Sequence, residues 1–127
     1  MQISASPHAA TVSPTDFVIQ WSSVKNADKD DWVAQYCKGG ALGTNGPWAY
    51  VTDCTGWETG SCSLKLTISD PLVQGACESL EFRMYRDPSP YTLLGTSNTV
   101  DWKPKNSMHM THRWLKRCVD YMEQSQP

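Results

Sequence analysis

Two short runs of β-branched and aromatic residues, residues 17–24 and 31–36, constrain the fold of this chain most. Each run alternates along its length as a half-buried β-strand does. The residues that share one face are Phe17, Ile19 and Trp21 in the first run, and Trp32, Ala34 and Tyr36 in the second. The connector between the runs is polar and predicts a surface loop. We therefore expect two strands that turn their tryptophans inward.

The same alternation recurs further along the chain. Apolar and polar residues alternate in residues 61–69 and again in 80–86, and turn residues end both runs. The predicted strands are residues 2–12, 17–24, 31–36, 48–52, 61–69, 80–86 and 91–102, the last with a bulge at Gly95. This pattern predicts an all-β fold, a seven-stranded antiparallel sandwich of the fibronectin-III or immunoglobulin type. The Cys…Trp…Cys spacing of a true immunoglobulin domain is absent, which favours the fibronectin-III type.

The length of 127 residues suits one domain with a single modest core. Large apolar residues on the predicted inner faces of strands should fill that core. The predicted core residues are Trp21, Trp32, Tyr36, Leu66 and Phe82.

The character of the chain changes after Pro104, which divides a predicted sandwich domain (residues 1–104) from a basic tail (residues 105–127). Residues 1–102 carry six Lys and Arg against eleven Asp and Glu, a balance of −5, whereas residues 103–127 carry five against two, a balance of +3. Apolar residues recur at helical spacing in the tail, which predicts a short amphipathic helix. The predicted interaction residues of the tail are Arg113, Trp114, Lys116 and Arg117.

The overall charge and the hydrophobic pattern narrow the classes of partner. A net charge of −2 gives no reason to expect nucleic acid as a partner. No apolar run approaches the roughly eighteen residues of a membrane span. The N-terminal residues 1–7 show neither a basic nor an apolar signal region, although a removed signal with an added Met1 would look the same. Proteins are the partners that we expect.

Five cysteines bear on the compartment in which the chain folds. Four of them fall within about forty residues of a small β domain, which indicates disulfides and an oxidising compartment. The predicted disulfide cysteines are Cys37, Cys54, Cys62 and Cys77. Three pairings are possible, and free buried thiols are the alternative. Cys118 is then left over. A zinc site is disfavoured because no Cys-x-x-Cys unit occurs.

The residues contain little that predicts catalysis. No Gly-x-Ser-x-Gly motif occurs, and we expect no catalytic residue, metal ligand or cofactor in this chain. His109 and His112 could share a helix face as metal ligands, but solvent-facing histidines are the expected interpretation. An acidic cluster, Asp28, Asp30 and Asp31, lacks the spacing of a calcium loop and reads as a solvated loop.

Three aromatic residues near a Gly-rich loop, Trp48, Tyr50 and Trp57, could offer a stacking platform for a sugar or a peptide. The simpler interpretation is that they belong to the core, because aromatic residues supply much of the buried area in small domains. The Gly-rich loop itself lacks the Lys-Ser/Thr of a phosphate-binding loop.

The order of several segments resembles the N-terminal domain of the high-molecular-weight purple acid phosphatases. In that domain a strand ending in Trp-Ser, here Trp21-Ser22, precedes an Asp-Trp-hydrophobic-x-x-Tyr strand, here residues 31–36. Three later segments are also similar: residues 57–68, 80–86 and 94–100. The resemblance implies a fibronectin-III-like sandwich that precedes a dinuclear metallophosphatase domain, in enzymes that hydrolyse phosphate monoesters and are secreted or vacuolar.

The phosphatase domain's own motifs do not occur in this chain, so no metal ligand is carried over to any residue. The resemblance therefore implies a domain that is not an enzyme on its own and that packs, dimerises or positions a catalytic domain. The alternative is a free-standing secreted protein-interaction module or effector. A third possibility is a cytosolic relative, because the Asp-Trp-x-x-x-Tyr strand also resembles the SKICH modules.

Overall fold

The computed structural model describes residues 1–69 and 77–104, and these residues form an all-β structure of nine strands in two sheets. The strands are β1 (Gln2–Ser6), β2 (Ala9–Ala10), β3 (Thr15–Ser22), β4 (Trp32–Cys37), β5 (Trp48–Tyr50), β6 (Cys62–Ile68), β7 (Ser79–Arg86), β8 (Thr92–Thr96) and β9 (Val100–Trp102). Two short helical turns, Val51–Asp53 and Trp57–Thr59, connect β5 to β6. The predicted C-terminal helix, with Arg113, Trp114, Lys116 and Arg117, lies outside the described residues.

The smaller sheet has the strand order β1-β3-β6, and both pairings are antiparallel. Phe17 lies opposite Leu66 and Ile19 lies opposite Leu64, and these four side chains are buried. Since side chains alternate between the faces of a strand, the residues between them point to solvent. The alternation predicted for these strands is the alternation observed.

The larger sheet has the strand order β2-β9-β7-β4-β5, and β8 also pairs with β7. The pairing of β2 with β9 is parallel, whereas the other pairings are antiparallel. β8 and β9 follow one another along the same edge of β7, where Arg86 faces Thr92 and Ser79 faces Asp101. β4 and β7 therefore form the centre of this sheet.

The nine strands differ from the seven predicted because two predicted strands are each interrupted. The range 2–12 contains β1 and β2, and the range 91–102 contains β8 and β9. The register of β8 shifts between Met84 and Tyr85 of β7, next to Gly95, where the sequence predicts a bulge. The strand predicted over residues 48–52 ends at Tyr50, since Val51 begins a helical turn.

The buried faces of the two sheets meet in one hydrophobic core. The Phe17 ring of the smaller sheet lies 5.4 Å from the Phe82 ring of the larger sheet, and 6.4 Å from the Trp102 ring. Trp21 and Leu66 belong to the same core, as predicted. The core therefore joins the two layers rather than serving one sheet alone.

Trp32 and Tyr36, both predicted as core residues, do not lie in the core between the two sheets, although Tyr36 is fully buried. Val33, on the intervening face of β4, lies in the core with its partner Met84. Trp32 is half-buried and Tyr36 is fully buried, and both pack in a separate cluster on the outer face of the larger sheet. The period of two was correct, but the face assigned to the core was the opposite one.

Two disulfides connect the four predicted cysteines. Cys37 at the end of β4 bonds to Cys77, two residues before β7, with their Cα atoms 5.8 Å apart. Cys54 bonds to Cys62 at the start of β6, with Cα atoms 6.2 Å apart. Both separations are ordinary for disulfides. The first bond fastens two neighbouring strands of the larger sheet, and the second holds the crossing from the larger sheet to the smaller.

The opposite placement of two tryptophans gives a stability prediction. Trp21→Ala should lower the free energy of unfolding by about 3–5 kcal/mol, because it leaves a cavity in the shared core. Trp32→Ala should cost less, because the Trp32 ring is half-buried on the outer face. Urea unfolding followed by circular dichroism measures both values. Equal losses for the two variants would contradict the assignment of Trp32 to the outer face.

The two disulfides give a prediction about thiol content. Four of the five cysteines are paired, so the unfolded, unreduced chain should react with one equivalent of a thiol reagent. After reduction the same chain should react with five. Three or more reactive thiols before reduction would show that a bond is missing. The cysteine double variant Cys54→Ser/Cys62→Ser should keep the count at one and provides the control.

Candidate functional site

The outer faces of the two sheets differ in character. On the smaller sheet the outer face carries mostly polar side chains, such as Gln20, Ser63 and Lys65, with Val18 as an exposed exception. On the larger sheet the outer face is predominantly aromatic. Its aromatic residues are Trp32, Tyr36, Trp48, Tyr50, Tyr85 and, from the segment before β8, Tyr91. Contiguous exposed apolar surface is typical of binding regions, so this face is the candidate for one.

A rigid polar and aromatic layer supports the aromatic face from below. Tyr85 is buried and stacks on Trp32, with ring centroids 5.0 Å apart and an interplanar angle of 29°. The guanidinium of Arg83 lies 4.0 Å from the centre of the Tyr36 ring and pairs with Glu81 at 2.6 Å. Burial, and then the neighbouring Tyr85, raises the pKa of Tyr36. Trp32 therefore rests on an ordered base.

Three more exposed rings surround Trp32. The Trp48 ring lies 6.1 Å from Trp32 at 74°, and the Tyr91 ring lies 5.3 Å from it at 84°. Tyr50, opposite Trp32 on β5, meets Trp48 edge-on at 5.0 Å. Trp48 is 50% exposed, Tyr50 41% and Tyr91 40%. The planes of these rings are steeply inclined to the planes of the neighbouring rings, and an open cleft lies between them.

The cleft has a volume of about 250 Å³. Its lining residues, which define the aromatic cleft, are Trp32, Leu42, Gly43, Asn45, Trp48, Tyr50, Asp87 and Tyr91. These residues come from β4, β5, the loop between them and the segment after β7. Pairing of the strands brings together residues that are distant in sequence.

The Gly-rich loop supplies one wall of the aromatic cleft and is held to β4. Gln35 donates its backbone N–H to the Pro47 carbonyl, and Gly46 donates to the Gln35 carbonyl at 2.8 Å. A Cβ at Gly46 would clash with the Gln35 side chain, so no larger residue fits there without movement. The loop is thus held against the strand by backbone hydrogen bonds.

Asp87 is the one carboxylate in the lining of the aromatic cleft. Its Oδ1 atom accepts a hydrogen bond of 3.2 Å from the Trp32 indole Nε1. That bond orients both the carboxylate and the ring. The amide of Asn45, another polar lining group, donates to the Gly46 carbonyl at 2.9 Å.

The acidic cluster predicted near β4 has a structural role at its centre. Asp31 is buried and receives two hydrogen bonds of 2.8 Å from the Arg86 guanidinium. The hydrogen bond from Arg86 to Asp31 raises the pKa of Arg86. Asp28 accepts from the Asp30 backbone at 2.8 Å, which shapes the loop. Within residues 1–69 and 77–104, no three His, Cys, Asp or Glu side chains come together as a metal site.

The three aromatic residues expected in the core, with a stacking platform as the alternative, are separated in the structure, and two of them are exposed. Trp48 and Tyr50 line the aromatic cleft, whereas Trp57 packs partly buried against the hydrophobic core. Trp32, Tyr91 and Asp87 were not predicted as parts of this site. The sequence contains one indication that Trp32 belongs to this site, namely a large ring at an outward position of β4. The outward position is recognised only once the register of the strand is known.

Another surface hollow, of about 980 Å³, lies along β1 and β3. Short polar side chains such as Ser4, Ser22 and Ser63 make up much of its lining. Size alone does not indicate a binding site, since a site needs convergent groups that fix a ligand. The smaller aromatic cleft has such groups and is the candidate functional site.

The aromatic cleft offers groups that are suited to binding a ligand. Four ring systems offer faces and edges for stacking, and one oriented carboxylate can accept a hydrogen bond.

In the part of the chain that the structure describes, no helix is long and apolar enough to span a membrane. No protein-family model matches the chain, and no curated protein shows significant similarity to it. The resemblance to purple acid phosphatases therefore stays a prediction.

Proposed function

We propose that this chain is a non-catalytic β-sandwich of the fibronectin-III or immunoglobulin type that acts as a protein-interaction module. The two sheets packed around one core support the sandwich assignment. The observation that carries the function is the aromatic cleft on the outer face of the larger sheet. A protein partner that covers this cleft would bury rings that are now about half exposed.

The composition of the aromatic cleft fits the centre of a protein interface. Tryptophan and tyrosine are enriched among the residues that dominate binding energy, because each buries a large area with few rotatable bonds. Trp48 is fixed by its edge-on contacts with Trp32 and Tyr50, so little rotational freedom is lost on binding. Leu42 and Leu93, 48% and 50% exposed, add apolar surface to the same outer face.

The two disulfides indicate folding in an oxidising compartment, which suits a secreted or extracellular protein. A cytosolic relative of the SKICH type is disfavoured for this reason. The role as a packing or positioning domain of a purple-acid-phosphatase-like protein rests on the order of sequence segments. Such a role is compatible with the interaction module, since a catalytic domain or a second subunit would then be the partner.

The absence of catalysis is tested with the purified full chain. We expect no hydrolysis of p-nitrophenyl phosphate above background with iron, zinc or manganese supplied, because the sequence carries none of the phosphatase motifs. Spectrophotometric release of p-nitrophenol is the measurement. Metal-dependent turnover that co-purifies with the protein through successive steps would contradict the proposal.

The interaction role is tested by substitution at the most exposed ring of the aromatic cleft. We expect Trp48→Ala to weaken binding of a protein captured by the wild-type chain about tenfold or more, as loss of a central tryptophan does. Surface plasmon resonance with the captured protein measures the dissociation constant. Val18→Ala is the matched control, since Val18 is an exposed apolar residue on the smaller sheet.

Unchanged binding by Trp48→Ala would place the interface elsewhere. The predicted basic tail is the alternative contact. The triple variant Arg113→Ala/Lys116→Ala/Arg117→Ala addresses it in the same assay. Loss of binding only in this triple variant would assign the interaction to the tail and count against the aromatic cleft.

A further inference from the structure

The electrostatic character of the aromatic cleft is one-sided. Among the residues that the structure describes, its lining contains four aromatic rings and the Asp87 carboxylate but no basic side chain. An adjoining hollow shares Asp87 and Tyr91 and adds Asp28 and Asp30. Lys29 lies beside this rim, but its ammonium pairs with Asp30 at 3.2 Å in solvent. The faces of aromatic rings carry partial negative charge, so rings and carboxylates together favour a cation.

The position of Asp87 suits a charged donor from a ligand. Its Oδ1 atom holds the Trp32 indole, and among the described residues no hydrogen bond engages Oδ2. A cation in the aromatic cleft would pair with this carboxylate without disturbing the Trp32 contact. Hydrogen bonds to a charged partner are stronger than neutral ones.

A neutral sugar is a poorer match for the aromatic cleft than a cation. Recognition of a sugar requires several free donors and acceptors for its hydroxyl groups. The polar side chains of the lining are few, and the Asn45 amide and one oxygen of Asp87 are already engaged within the protein. Aromatic faces and one free carboxylate oxygen instead match a planar cation.

Among the cationic side chains of proteins, arginine best matches a site made of aromatic rings and one carboxylate. Its guanidinium is planar, stacks on aromatic rings and donates to carboxylates with a fixed geometry, whereas the ammonium of lysine is a compact and strongly hydrated charge. The volume of about 250 Å³ is below the roughly 300–1,000 Å³ of sites for drug-sized ligands. A single side chain is therefore a suitable occupant.

We propose that the aromatic cleft receives an arginine side chain of a partner polypeptide, stacked against Trp48 and Tyr91 with its guanidinium on Asp87. This proposal rests on the function proposed above and names the chemistry by which the partner is recognised. Charge complementarity supports it further, since residues 1–102 carry a balance of −5. The partner is thus expected to present an arginine on an exposed segment.

The test measures binding of a capped pentapeptide, Gly-Ser-Arg-Ser-Gly, to the full oxidised chain. Quenching of tryptophan fluorescence reports the binding. Two analogues replace the arginine by citrulline, which is a neutral near-isostere, or by lysine. We expect saturable, weak binding of the arginine peptide that falls as salt is raised. The citrulline peptide should bind about tenfold more weakly or not at all, and the lysine peptide should fall between the two.

Asp87→Asn tests the role of the carboxylate with little change in shape, because the amide oxygen can still accept from the Trp32 indole. We expect a three- to tenfold loss of affinity for the arginine peptide, typical of a partly exposed charged contact, of the order of 1 kcal/mol. Asp101→Asn, at an exposed position on β9 and three strands away from β5, is the matched control and should bind as the wild type does.

Any of the following outcomes would overturn the proposal. Equal binding of the arginine and citrulline peptides, or of the wild type and Asp87→Asn, would show that charge is not recognised. A large gain in affinity in the variant Arg113→Ala/Lys116→Ala/Arg117→Ala would show that the chain's own basic segment fills the cleft. If Trp48→Ala abolishes partner binding while Asp87→Asn leaves it unchanged, the interaction module stands and the arginine assignment fails.

Discussion

The register of β4 against β7 is fastened at both ends, and the rest of the structure depends on it. At one end the buried Asp31, just before β4, pairs with Arg86 at the end of β7 through two hydrogen bonds of 2.8 Å. At the other end Cys37 is bonded to Cys77, two residues before β7. A shift of one residue would exchange the two faces of β4 and bring its aromatic residues into the core. These two clamps oppose such a shift.

With that register in place, one strand serves two purposes. The inward residue Val33 completes the core with Met84, while the outward residue Trp32 stacks on Tyr85 and forms the base of the aromatic cleft. β5 then places Tyr50 opposite Trp32. The core and the aromatic cleft are therefore opposite faces of the same central strands. A change that disturbs the packing of the core is expected to move the cleft as well.

The alternation of apolar and polar residues was enough to locate most strands and to identify Trp21, Leu66 and Phe82 as core residues. It failed at β4, because neither face of that strand is polar enough to be recognised as the outer one. Size suggested that Trp32 and Tyr36 face the core between the sheets, whereas the smaller Val33 does so and Tyr36 is buried in a separate cluster. The disulfide pairing was also beyond the sequence, since it follows from which strands are neighbours in space.

The aromatic cleft was still harder to predict, because its parts come from separate segments that meet only in the folded sheet. The Tyr91 ring contacts the rings of Trp32 and Tyr85. Asp87 contacts Trp32 by accepting the indole hydrogen bond. The exposed rings lie outside the hydrophobic core, so the stability of the fold does not depend on their exposure. Exposed tryptophan and tyrosine carry a cost in solubility and favour association. The exposed aromatic face beside an oriented carboxylate is therefore the observation on which the proposed binding function rests.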